Sequence, residues 1–287
     1  MRIALATCAV LPDPDPDQAP LAAELRAGGH EVTTPVWDDP QVRWGDLDVC
    51  VLRSTWDYTE RPGEFLAWVD RVASQTVLLN PAPVVRWNAH KRYLLELAAA
   101  GVPVVPTELA PAGGAPDLGA LCAARGWDDV VIKPAVSAGS RDTLRARAGD
   151  AAGAAHLAAL VGRGDDALVQ PYQASVEGPG ERALVAIGGE LSHAVRKSPR
   201  FLGDGEQTRA APIEADEAAL AEALLAGPAR GLLYARIDLV RDAAGRPQVA
   251  ELELIEPSLF FATHPPALAR FAAALPRWVE EARACSS

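Results

Sequence analysis

Residues 234–255, YARIDLVRDAAGRPQVAELELI, constrain the fold more than any other segment. Two runs that alternate apolar and polar residues flank a turn at Ala243-Ala244-Gly245-Arg246, the spacing of a β-hairpin. Pairing Asp242 with Pro247 sets Asp238 opposite Glu251 and Arg236 opposite Glu253. The period of two then puts these four on one face and Ile237, Leu239, Leu252 and Leu254 on the other. A one-residue slip would break the pairing, so the register is an expectation.

Like charges directly opposite one another destabilise a sheet, so three carboxylates around one arginine need a cause. A solvated face with incidental ion pairs is the plain reading. The chemical reading is a hard divalent cation held by Asp238, Glu251 and Glu253. Mg²⁺ suits such ligands, with Mn²⁺ as the alternative, and usually bridges carboxylates to nucleotide phosphates. Arg236 beside it would neutralise charge on a transferred phosphoryl group.

Composition sharpens this. Of 27 basic residues only Lys91, Lys133 and Lys197 are lysine. An ammonium and a guanidinium are not interchangeable where a phosphate oxygen meets a point charge. Lys133 ends the apolar run DDVVIKP and precedes the small-residue loop Ser137-Ala138-Gly139-Ser140, a combination suited to phosphate binding. Asn88 looks like the N-cap of a helix over 89–100, which would put Lys91 at N3. A cation is unfavourable there unless an anion is present, although a tolerated surface charge is the plain alternative. Lys197 follows RALVAIGGEL and precedes a glycine-containing stretch, 199–208, that could close as a lid.

The net charge of −11 argues against a general nucleic-acid or anionic-membrane binder, but not against an anionic ligand in a locally basic pocket. No apolar run approaches a membrane span, and the N-terminus lacks a secretory pattern. Four dispersed cysteines suggest a reducing, cytoplasmic setting; Cys8, at the end of the first apolar run, is a weak nucleophile candidate. HExxH, GxSxG and Gly-Lys are absent. Gly178–Ala183 matches GxGxxA but precedes an apolar run where the dinucleotide fingerprint must follow one, so it is set aside. Strand-like runs at 1–7, 31–36, 48–53 and 76–79, separated by helical stretches, predict a small α/β domain before the Asn80-Pro81 boundary. The repeat PDPDPD at 12–17 excludes a helix there. Further strands are expected in ALVQPY, RALVAI, YARIDLV and QVAELELI, with a helix over 266–284.

In this order the elements resemble the ATP-grasp superfamily over nearly the whole chain. The resemblance implies an N-terminal preATP-grasp-like domain (1–85), a middle lobe (86–168) and a C-terminal catalytic lobe (169–287). It implies ATP phosphates on Lys91, Lys133 and the loop of Ser140, adenine along Gln170 to Tyr172, and ribose on Glu177, with Glu181 as competitor. The metal ligands carry to Asp238, Glu251 and Glu253, and the catalytic groups to Arg236 and Lys197. Glu253 stands where many members have asparagine, Glu256 is a second candidate beside it, and the usual glycine-rich loop is only SAGS. MRIALATC, RSTWDY and ELELIEPSLFF are similar to D-cycloserine synthetase-like members, which close O-ureido-D-serine into a ring through an activated carboxylate. That resemblance implies an ADP-forming ligase with a small-molecule carboxylate substrate, with an intermolecular amino-acid or peptide ligase and a non-catalytic ATP-binding module as alternatives. A homodimer is compatible with it.

Substrate choice is expected from the loop Arg53, Ser54, Thr55 and Asp57, which follows a buried strand. Arg53 could clamp a carboxylate or pair with Asp57 or Glu60. His193 and His264 are the general-base candidates, with His264 the better placed of the two, and each reads more readily as structural.

Overall fold

A computed structural model describes residues 1–11, 14–198 and 207–286. The N-terminal stretch runs β1 (Arg2–Thr7), α1 (Gln18–Ala27), β2 (Glu31–Thr33), β3 (Val49–Ser54), α2 (Pro62–Ala73), β4 (Val77–Leu79) and α3 (Ala82–Asn88). Its strands form a parallel sheet ordered β2-β1-β3-β4, the arrangement that strands joined by helical crossovers adopt. Central strand β3 is buried along its whole length, so the loop that leaves it at Thr55 starts from a rigid base.

The chain continues through α4 (Tyr93–Ala99), β5 (Glu108–Ala110), α5 (Leu118–Arg125), β6 (Asp129–Pro134), β7 (Leu144–Arg147), α6 (Ala151–Gly162) and β8 (Ala167–Pro171). These strands form an antiparallel sheet ordered β5-β8-β6-β7. Leu118, Cys122, Ile132, Leu157 and Leu160 fill the core between sheet and helices. The helix expected over 89–100 starts only at Tyr93, while a separate helix, α3, ends at Asn88, and Lys91 lies in the turn between α3 and α4. Asn88 is no cap. Its buried Nδ2 donates to Leu252 O (2.7 Å) and its Oδ1 accepts from Leu254 N (2.8 Å), so a tertiary contact ends the helix. The macrodipole argument for Lys91 therefore falls.

The last stretch comprises β9 (Glu181–Ile187), β10 (Glu190–Lys197), β11 (Thr208–Ala211), α7 (Ala215–Ala226), β12 (Tyr234–Arg241), β13 (Pro247–Glu253) and α8 (Pro266–Ser286). They form a sheet ordered β11-β10-β9-β12-β13. RALVAIGGEL is two strands, since Gly188 (φ +64°) and Gly189 (φ +76°) make the left-handed hairpin turn between β9 and β10. Lys197 is the last residue of β10; within the proposed lid, 199–206 lies outside the described residues. Gly180, in the rejected GxGxxA match, has φ +82°, and a Cβ there would stand 2.8 Å from Lys197 O. Close packing, not dinucleotide binding, explains that glycine.

The hairpin after β12 closes one residue tighter than expected. Asp242 N donates to Arg246 O (2.9 Å), and Gly245 takes φ +79°, the bulge conformation of a three-residue loop. The direct opposition of Asp238 and Glu251 implied by the looser turn does not follow from this one.

The chain divides into two compact units. One comprises Met1–Ala89, Pro179–Leu239 and Leu252–Ser287, the other His90–Gly178 and Val240–Glu251. In the first, Ile3, Leu5, Val51, Val185, Tyr234, Phe271 and Leu275 share one core. Among the described residues no helix is long and apolar enough to cross a membrane.

Candidate active site

In the first unit, the period of two on β12 places Arg236 and Asp238 on one side of the strand, both buried. Arg236 forks onto Asp238, with Nε to Oδ1 and Nη2 to Oδ2 both at 2.9 Å. Arg236 also pairs with Glu253. Lys197 donates to Asp238 Oδ2 at 2.8 Å and pairs with Glu181. Burial pushes the Asp238 carboxyl up, but Arg236 and Lys197 outweigh it and hold the group well below the usual carboxylate range.

The second unit gathers two lysines on one glutamate. Lys133 Nζ donates to Glu251 Oε1 at 2.7 Å, and Lys91 Nζ lies 4.0 Å from Glu251 Oε2. Lys91 also donates to Ser137 O, while its own backbone N–H bonds Ala135 O at 2.8 Å. Both lysines are buried, and one carboxylate answers two ammonium groups. Excess positive charge taken out of water favours an anion at these Nζ atoms. The following loop turns left-handed at Gly139 (φ +62°), Ser140 (φ +60°) and Asp142 (φ +54°).

In the same unit, Gln170 at the end of β8 donates to Thr107 Oγ1 (2.8 Å). The Arg145 guanidinium covers the Tyr172 ring at 3.4 Å, and the Tyr172 hydroxyl donates to Glu177 Oε1 at 2.9 Å. Burial and Glu177 push the Tyr172 phenol up to about 12. The Tyr172 hydroxyl and Arg145 in turn hold the Glu177 carboxyl below its ordinary value. Arg145 also bonds Asp129 at 2.7 Å, which makes a four-residue network of which sequence inspection identified only Tyr172 and Glu177. The alternating LRAR of β7 was the available signal for Arg145.

The loop after β3 departs from expectation. Arg53 is 1 % exposed, and its Nη2 donates to Pro257 O at 3.1 Å. Its ion-pair partner is neither Asp57 nor Glu60 but Asp17, at 3.9 Å. Asp57 instead accepts from Trp37 Nε1 (2.7 Å) and Arg61 (3.0 Å). Ser54 Oγ donates to Asp15 and to Gln18 Oε1 (3.1 Å). Thr55 Oγ1 is buried with no hydrogen-bond partner among the described residues. The His193 and His264 rings stack at 5.0 Å. His193 Nε2 sits 2.9 Å from Leu259 O, and burial lowers its pKa, keeping the ring neutral. Cys8 is buried and burial raises its thiol pKa, which removes the thiolate a nucleophile needs.

Among the described residues no three His, Cys, Asp or Glu side chains are grouped to hold a metal ion on their own. Asp238, Glu251 and Glu253 are each engaged by a lysine or an arginine.

Residues 3–80 match the N-terminal domain family of the D-cycloserine synthetase DcsG. The cycloserine biosynthesis protein DcsG of Streptomyces lavendulae is 37% identical over 294 residues, covering 95% of this chain and 97% of that protein. The crystal structure of D-cycloserine synthetase DcsG superposes with a TM-score of 0.89 at 36% identity, over 97% of this chain and 100% of that one. More distant structures share the fold. A RimK-domain ATP-grasp protein from Sphaerobacter thermophilus matches at 20% identity and TM-score 0.71, over 97% of this chain and 99% of its own. D-alanine–D-alanine ligase from Bacillus anthracis, complexed with ATP, matches at 13% identity and TM-score 0.73 over the whole of both chains. The chain belongs to the D-cycloserine synthetase DcsG family, and its fold is that of ATP-grasp proteins.

Proposed function

We propose that this ligase is ADP-forming, activates a substrate carboxylate as an acyl phosphate and closes a C–N bond, with O-ureido-D-serine cyclised to D-cycloserine as its reaction. The observation that carries the chemistry is the pair of buried ammonium groups, Lys91 and Lys133, gathered on Glu251. Lys91 and Lys133, two buried ammonium groups on one carboxylate, would take phosphate oxygens together with the loop of Ser140. Gln170 to Tyr172 would hold the adenine through backbone groups and Glu177 the ribose. The hard oxygen donors Asp238, Glu251 and Glu253 are the residues that would hold Mg²⁺, or Mn²⁺ in its place. The ion, when bound, neutralises phosphate charge and orients the transferred group. Lys197 keeps Asp238 ionised, and Arg236 steadies the carboxylate oxygen as it meets the γ-phosphorus.

The 37% identity to DcsG supports the substrate assignment. The loop of Arg53, Ser54, Thr55 and Asp57 would shape the substrate end. Arg53 and Ser54 would act from behind, being committed to Pro257, Asp15 and Gln18. The segments 1–85, 86–168 and 169–287 would be the substrate, nucleotide and catalytic parts. Buried, unpaired Cys8, Cys50 and Cys122 support a reducing, cytoplasmic setting.

A carboxylate oxygen attacks the γ-phosphorus and ADP leaves; the nitrogen bonded to the side-chain oxygen then attacks the acyl carbon and loses its proton, and phosphate departs with the carboxylate oxygen. The carbamoyl group still on that nitrogen leaves by hydrolysis, one water giving carbamate, which breaks down to carbon dioxide and ammonia. Substrate labelled with ¹⁸O in the carboxylate should therefore yield phosphate carrying one ¹⁸O. Label-free phosphate, with product formed, would remove the acyl-phosphate step. Lys133→Arg conserves charge but puts a wider fork where a point charge meets Glu251 at 2.7 Å. It should lower kcat/KM for ATP by about 100-fold, and near-normal steady-state kinetics would contradict the phosphate assignment.

A further inference from the structure

Asp17, the last residue of the PDPDPD repeat, is fully buried (0 % exposed) immediately before α1. No bond from its carboxylate to the amides of that helix is found among the described residues. It reaches instead to the segment after β13. Oδ2 accepts from Leu259 N (2.6 Å) and Phe260 N (3.0 Å), and Oδ1 accepts from Phe261 N (2.9 Å). Three backbone donors on one carboxylate compensate its burial and hold a turn in which Phe260 takes φ +52°, a region costly for a bulky residue. Arg53, 3.9 Å from Asp17, fixes the start of the same turn through Pro257 O.

The other side of that turn faces Arg236. Ser258 O accepts from Arg236 Nη1 at 3.3 Å, and the Phe260 ring lies 5.5 Å from the guanidinium carbon. The turn thus gives Arg236 a carbonyl and an aromatic face, while Asp238 and Glu253 take its Nε and Nη2 N–H groups.

We infer that Asp17, backed by Arg53, is a positioning residue: it holds the 257–261 turn in the conformation that orients the Arg236 guanidinium. The inference rests on the assignment of Arg236 to the reacting carboxylate and phosphoryl group. A residue that only stabilised the fold would change the amount of active protein, not its rate constant.

The test uses the full-length chain, with active fraction set by MgATP-binding stoichiometry. Asp17→Asn offers one acceptor oxygen where two are used, and turns an NH₂ toward a backbone N–H. It should lower kcat about 10-fold or more while KM for ATP stays within about threefold, because Lys91 and Lys133 are untouched. Phe260→Leu, which leaves Asp17 intact, should lower kcat in the same way. The double variant should lose no more than the worse single one, since both act through one guanidinium. An unchanged kcat in Asp17→Asn, or multiplicative losses in the double variant, overturns the inference. If Asp17→Asn does not fold, an unchanged kcat in Phe260→Leu does so. Arg236→Lys is measured in parallel. Wild-type turnover there would remove the assignment of Arg236 itself, whereas an inactive Arg236→Lys beside a fully active Asp17→Asn would remove only the positioning role.

Discussion

Glu251→Gln is expected to cost at least about two orders of magnitude in kcat with Mg²⁺ while leaving metal-free nucleotide binding intact or tighter. The two effects separate because Glu251 does two things. It would be a hard oxygen ligand for the proposed ion, and it is the carboxylate that both Lys91 and Lys133 reach. Replacing the carboxylate by an amide removes the ligand's charge but leaves both ammonium groups facing a site that now lacks their counter-ion. Phosphates then become the better partner, since attraction between opposite charges is stronger where water is excluded. Calorimetric titration with ATP in EDTA and turnover in Mg²⁺ check the two halves. Weaker metal-free binding would place Glu251 on the nucleotide itself, and unchanged turnover would remove it from the metal set.

Asp238→Asn should be the most damaging single change in the first unit. Asp238 accepts the Arg236 fork and the Lys197 ammonium, and all three are buried. Removing one partner of a buried pair strands the other charge and costs about 3–5 kcal/mol. On a chain of this size, the thermal midpoint should fall on the order of 10 °C. Turnover should fall about 1000-fold or more in the folded fraction, because both Arg236 and Lys197 lose their anchor. The pH dependence has a definite sign. The folded carboxyl titrates below its unfolded value, so its stabilisation is present above the ordinary carboxylate range and is lost only as pH falls through the folded value. The stability gap between wild type and Asp238→Asn should hold steady from pH 8 to about pH 5 and close only in strong acid. Urea unfolding across that range measures it; a gap that closes near neutrality would show that Asp238 is not held ionised by Arg236 and Lys197.

The parts of this molecule that were legible in the sequence are those whose pattern is local. Strands β6, β9 and β12 announce themselves by apolar runs and period-two alternation, and three lysines stand out because arginine fills nearly every other basic position. That same arginine excess hides Arg145, which looks like any other surface arginine until Tyr172 and Glu177 are folded against it. Lys91 was singled out for a wrong local reason, because Asn88 bonds to Leu252 and Leu254 far along the chain and ends the helix before Lys91. Arg53 has carboxylates nearby in sequence at Asp57 and Glu60, yet pairs with Asp17 from a repeat that reads as low complexity. The carboxylate of Asp17 in turn serves backbone amides at 259–261, a connection that no spacing or periodicity encodes.

Incubating the purified chain with MgATP and O-ureido-D-serine, and quantifying nucleotide and amino-acid products together, tests the proposed reaction. ADP, phosphate and D-cycloserine should form in equal amounts, with no ADP formed when the substrate is left out. AMP and pyrophosphate in place of ADP and phosphate would contradict the acyl-phosphate mechanism. Binding of ATP with no substrate-dependent turnover would contradict the assignment of O-ureido-D-serine as the substrate.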